Sequence, residues 1–161
     1  MPRTLLPKIP FVVFAVIEPA LLYMAHRSGM NSPQEFFAGL VAEHPITAKE
    51  FPPQALGMTL QMANVMLLLA LLALVACFSQ DSFTVKTYLA AVALADYGHI
   101  YGAYKAVGDE YFWNVRGWND VVIGHVGVSA VLNLFRLLTL AGAFGKIGND
   151  GQGPVTAKKQ R

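Results

Sequence analysis

Apolar residues along this chain fall into four long stretches separated by polar connections, at approximately 9–25, 56–78, 87–107 and 121–144. Each approaches or meets the ~20 mostly apolar helical residues needed to cross a hydrocarbon core of roughly 30 Å. The run VMLLLALLALVACF has no polar side chain over several turns, so most of its circumference must face lipid. The first stretch is the shortest and is interrupted by Glu18-Pro19, which leaves a cleaved signal peptide with Arg3 and Lys8 as its basic start as the alternative reading. The acid-proline pair and the lack of a small-x-small cleavage site before His26 argue for a retained span. The pattern predicts an all-α, four-helix transmembrane bundle forming a single domain over 1–145, followed by a Gly, Lys and Gln-rich disordered cytosolic tail over 146–161.

The polar connections add orientation. With four spans, Arg3, Lys8, Lys86, Lys146, Lys158, Lys159 and Arg161 share one side, whereas Arg27, Lys49 and Arg116 on the other are diluted by acidic residues. Basic residues concentrate on the cytosolic side, so both termini are expected there. In the long first connection, SPQEFFAGLVAE fits a short amphipathic helix with Ser32 as N-cap, Pro33 in the first turn and Glu35 in capping register. The third connection, DEYFWNVRGWND, reads as an aromatic interface belt anchored by Trp113 and Trp118.

Composition supports lipid as the solvent. Of the 161 residues, 55% are hydrophobic and 14% charged, against about 45–50% and about 25% in soluble domains. The mean hydropathy is +0.45. One cysteine, Cys77, excludes an internal disulfide framework and a CxxC pair, and a net charge of +2 leaves no nucleic-acid footprint.

Against that background, polar groups inside the spans carry the chemical signal, because an ionisable group at mid-helix costs roughly 2.5–3.5 kcal/mol on insertion scales. These are Glu18 in the first segment, Gln61 and Asn64 in the second, Asp96 and His99 in the third, and His125, Asn133 and Arg136 in the fourth. At about 1.5 Å rise per residue, Glu18 and Asp96 both reach roughly 13 Å depth from the same side. Gln61 with Asn64 and Asp96 with His99 are i, i+3 pairs, so each pair occupies one helix face. Pro19 removes a backbone hydrogen bond to Ala15 and should kink the first helix beside Glu18. One polar pocket between the helices would accommodate the set.

Two carboxyls and two imidazoles in a low-dielectric pocket suit proton transfer, as in isomerisation, dehydration or cyclisation of a lipophilic molecule. The chain lacks a phosphate loop, a GxSxG elbow and an HExxH motif. The competing reading treats the same groups as interhelical glue worth about 0.6–2 kcal/mol per contact. Glue is the preferred reading for Asn133, and snorkelling to the interface or pairing with a lipid phosphate for Arg136.

The segments IEPALLY, LQMANVMLLLALLAL, YLAAVALADYGHIY and WNDVVIGHVGVSAVLNLFRLLTLAG together resemble the short four-helix membrane proteins of filamentous fungi, some encoded beside natural-product pathways. The resemblance covers about 8–145 and implies an endoplasmic-reticulum protein serving polyketide or terpenoid biosynthesis; no site residues come with it. A looser similarity is to the emopamil-binding sterol isomerases, whose bundles also place acids and histidines around a lipophilic substrate. Their motifs do not align here, so the likeness is architectural.

The expectation is a cofactor-independent membrane isomerase or cyclase without a metal. Glu18 and Asp96 would be acid and base and His99 an orienting or relay group, while Gln61, Asn64 and His125 would bind substrate oxygen. Its partners would be a small lipophilic substrate, the bilayer and other membrane-bound pathway enzymes, with no nucleic acid. The rival is a non-catalytic accessory protein that carries a lipophilic intermediate or scaffolds such enzymes.

Overall fold

Long apolar runs form the main helices. The computed structural model describes residues 4–41 and 50–148, with no strand among them. In chain order the elements are α1 (Lys8–Asn31), α2 (Pro33–Gly39), α3 (Pro53–Cys77), α4 (Ser82–Val107), α5 (Asp109–Trp113) and α6 (Asp120–Leu140). Three helices, α1, α3 and α6, are long and apolar enough to cross a bilayer. Helix α4 is as long, at 26 residues, but Asp96, His99 and its four tyrosines make it more polar.

The first helix runs past its expected end at 25 and carries His26 and Gly29 onto α3. Gly29 sits so close to Ala63 that a Cβ added there would lie 2.8 Å from the Ala63 Cβ, and His26 Nδ1 donates to the Ala63 carbonyl at 2.9 Å. On α3 the buried positions Thr59, Ala63, Met66, Ala70, Ala73 and Cys77 alternate by four and three. Small side chains on that stripe let the two backbones approach closely, as membrane helix pairs require. Gly29→Ala should therefore destabilise the fold by about 1–3 kcal/mol through overpacking against a methyl that cannot swing away. Thermal unfolding in detergent measures this; a gain in stability would show that helix propensity outweighs the contact.

The Glu18-Pro19 pair distorts α1 as its missing donor requires. The helix widens into a π turn over Val13–Ile17, just before Glu18. A second π turn, Ile123–Val128, interrupts α6 around His125, where no proline signals it.

The helix ends follow local chemistry. Ser32 separates α1 from α2 at the expected N-cap position with Pro33 following, but its side chain makes no capping bond. Asp81 caps α4 fully: its carboxylate accepts from Thr84 N at 2.8 Å, from the Thr84 hydroxyl at 2.6 Å and from Phe83 N at 3.3 Å. Those Thr84 donors hold the Asp81 carboxyl below its usual range. The cap is thus complete above the ordinary aspartate pKa and is lost as pH falls through the lowered one. At the end of α6, Gly142 takes φ +81°, which lets Ala143 N reach Leu138 O and Gly142 N reach Thr139 O, at 2.9 and 3.0 Å.

Beyond α6 the chain folds back onto the segment that precedes α1. Gly148 N donates to Leu5 O at 2.9 Å, and Ile147 packs on a core cluster containing Leu6, Phe14, Cys77 and Leu89. Packing thus continues to residue 148. Residues 149–161 of the expected tail lie outside the described residues, as do 42–49 of the first connection.

At the opposite end, α2 crosses toward α6, and Asn119 Nδ2 donates to Gly39 O at 2.9 Å. Trp118 Nε1 donates to Phe112 O at 3.1 Å, while Trp113 stays largely exposed with its Nε1 donating to Asp109 at 3.0 Å. The two tryptophans of the predicted belt thus divide the work, one tying the loop and one facing outward.

Candidate functional site

A buried charge needs an opposite charge, and in this bundle Arg136 supplies it. Its side chain is 1% exposed. One terminal nitrogen donates to Asp96 Oδ2 at 2.5 Å and the other to Glu18 Oε1. Helices α1, α4 and α6 are thereby joined through one guanidinium, whose carbon lies 5.4 Å from the centre of the Phe14 ring, within cation–π range. Planarity and a fixed fork of donors suit arginine to this double engagement.

The triad is incompletely satisfied. Among the described residues, Glu18 Oε2 and Arg136 Nε are buried without a hydrogen-bond partner. Two carboxyls also face one cation, so the site carries one acidic group in excess. Asp96 is the more open of the two acids, with 13% side-chain exposure against 5% for Glu18. Next to it on α6, Asn133 Nδ2 donates to the Ala93 carbonyl of α4 at 2.7 Å, the interhelical glue expected of that residue.

One turn along α4 from Asp96, His99 leaves the triad and meets His125. Their nearest nitrogens, His99 Nε2 and His125 Nδ1, are 3.1 Å apart. The rings lie 5.0 Å apart between centres and 22° from parallel. One imidazole donates and the other accepts, leaving the outer nitrogens for a further partner. Phe36 of α2 sits over His125 at 6.0 Å between ring centres. The π turn around His125 widens α6 at this level and supports the ring's approach to α4. His99 is exposed and His125 half-buried, so the pair is reachable from outside the bundle.

The expected single pocket is therefore divided. Glu18 and Asp96 do converge, but onto one arginine. His99 and His125 form a separate layer. Gln61 and Asn64 join neither, because both are exposed on α3 while Ala63 between them faces α1. Burial of the small stripe turned this polar pair outward. Arg136 corrects the sequence reading most, since snorkelling would have taken it away from the centre. A signal was present: Asn133, Arg136 and Thr139 recur at i, i+3 and are all buried on the inner face of α6. Among the described residues, no three His, Cys, Asp or Glu side chains converge as a metal-ligand set.

No curated protein and no solved structure matches the chain. A family defined as a domain of unknown function, DUF7704, matches residues 3–146. That match spans nearly all of the helical bundle, including every residue of the triad and of the histidine pair, and the chain belongs to the DUF7704 family.

Proposed function

We propose that this chain is a membrane-embedded, cofactor-independent isomerase or cyclase that moves protons on a lipophilic metabolite. The observation that carries the reading is the hydrogen-bonded His99–His125 pair, reachable from outside and one helical turn from Asp96. In an isomerisation, a base removes a proton from one carbon and an acid returns one to another, so no oxidant or reductant is consumed. Asp96 and His99 take these roles, and His125 relays the proton through the shared hydrogen bond. Glu18 and Arg136 hold Asp96 in place, and the acid in excess within the triad keeps one exchangeable proton site near the substrate.

In this reading all four long helices span, both termini face the cytosol, and the bilayer delivers the substrate from the side. The likeness to fungal four-helix proteins supports an endoplasmic-reticulum setting in polyketide or terpenoid biosynthesis, beside other membrane-bound pathway enzymes. One observation favours the accessory reading: Arg136 occupies both carboxyls, as a purely structural pin would.

Deletion of the gene followed by profiling of lipophilic metabolites tests the proposal. A substrate should accumulate, and wild-type protein should restore its conversion. The His99→Gln and His125→Gln variants, which keep polarity and lose the relay, should each leave the substrate largely unconverted at normal protein level. Full restoration by both would refute proton transfer through the pair.

A further inference from the structure

The end of the bundle where Gly148 pairs with Leu5 contains a cavity of about 450 Å³. Its walls are Lys86 near the start of α4, Thr139 and Leu140 at the end of α6 with the following Ala141 and Gly142, and Lys146 with Ile147. A volume of this size lies within the range of small-molecule sites, roughly 300–1,000 Å³. Among the described residues, no acidic side chain lines it. Both lysines are exposed, and neither has a hydrogen bond or ion pair among the described residues.

The remaining donors of the wall are few. The backbone N–H groups of Ala141 and Gly142 are used in closing α6, and the Thr139 hydroxyl donates to Phe135 O at 2.7 Å. The Lys86 and Lys146 ammonium groups supply the charged donors that can meet a ligand. The carbonyl end of α6 contributes about half a negative charge, which two lysines outweigh, so the cavity is net positive. A flat basic patch would attract any anion diffusely, but a concavity flanked by two cations selects a compact, doubly contacted one.

We propose that this cavity binds a phosphate group, presented either by an anionic lipid headgroup or by a free phosphate. It lies where α4 begins and α6 ends, at the margin of the apolar bundle, so a headgroup reaches it without leaving the bilayer surface. Charged residues near a membrane contribute about fivefold in affinity each.

The test uses the full-length protein in phosphatidylcholine nanodiscs, with phosphatidic acid or inorganic phosphate added separately. Binding is followed by native mass spectrometry and by the shift in unfolding temperature. The K86Q/K146Q double variant should bind phosphatidic acid about 25-fold more weakly than wild type. K8Q, which removes an exposed lysine at the start of α1 outside the cavity, should bind as wild type does. Stabilisation of wild type but not of the double variant by inorganic phosphate alone supports the site with a free ligand as its source. A response confined to phosphatidic acid supports it with lipid as the source. Equal binding by wild type and the double variant overturns the proposal, as does a loss in K8Q as large as that in the double variant.

Discussion

Arg136→Met should be the most destabilising single substitution in the bundle, by about 3–5 kcal/mol. The reason is the count of charges. Arg136 is the shared partner of Glu18 and Asp96, so its removal strands two carboxyls, one of them deeply buried, without their cation. Arg136→Lys keeps a charge but not the planar fork, and it should recover only part of the loss, because one ammonium cannot hold both acids in the same geometry. The informative control neutralises everything at once. The E18Q/D96N/R136M variant replaces the ion triad by uncharged groups of similar volume, an exchange that is often neutral or stabilising. It should accumulate and unfold near the wild-type temperature even though it contains R136M. Detergent-solubilised yield and thermal unfolding measure both outcomes. An R136M protein as stable as wild type would mean that the triad is not the pin joining α1, α4 and α6.

The largest expected effect on activity separates the two acids. If proton transfer runs through the exposed side of the triad, Asp96→Asn should lower conversion by about 10²–10⁴-fold, the usual contribution of a positioned acid or base. Glu18→Gln should retain most of it, because Glu18 is the more deeply buried acid, whereas Asp96 shares α4 with His99 one turn away. Both amides keep shape and can still accept from Arg136, so protein level should stay near normal. The substrate pool and the immunoblot signal are read from the same cultures. The reverse pattern, with E18Q inactive and D96N active, would move the catalytic acid to α1. Normal conversion by both at normal abundance would remove acid and base chemistry from this site and leave the carrier or scaffold reading.

Much of this arrangement was legible before the fold. The long unbroken apolar run of α3 required a helix, and that helix is long and apolar enough to cross a bilayer. Glu18 and Asp96, at similar depths on helices entering from one side, were expected to approach each other, and they share a guanidinium. Pro19 announced a defect in α1, which takes the form of the π turn before Glu18. Asn133 was read as glue and donates across to α4. Arg136 was misread because a long cationic side chain near a helix end has two low-energy choices, outward to headgroups or inward to acids. The choice depends on whether two acids converge within reach, which is a property of three helices together.

Sequence alone determined the helical class, the length of the apolar helices and the presence of more polar groups than lipid tolerates unpaired, since these follow from local hydropathy and the spacing of side chains along one strand of chain. It could not set the rotation of each helix about its axis. A helix that is apolar nearly all round, as α3 is, has no polar face to orient it, so the close approach of Gly29 to Ala63 decided which side turned inward. That rotation placed Gln61 and Asn64 outside, and the packing of α4 on α6 set His99 against His125. Side-chain partners more than a helix apart are chosen by steric fit between backbones, a tertiary quantity that no periodicity records.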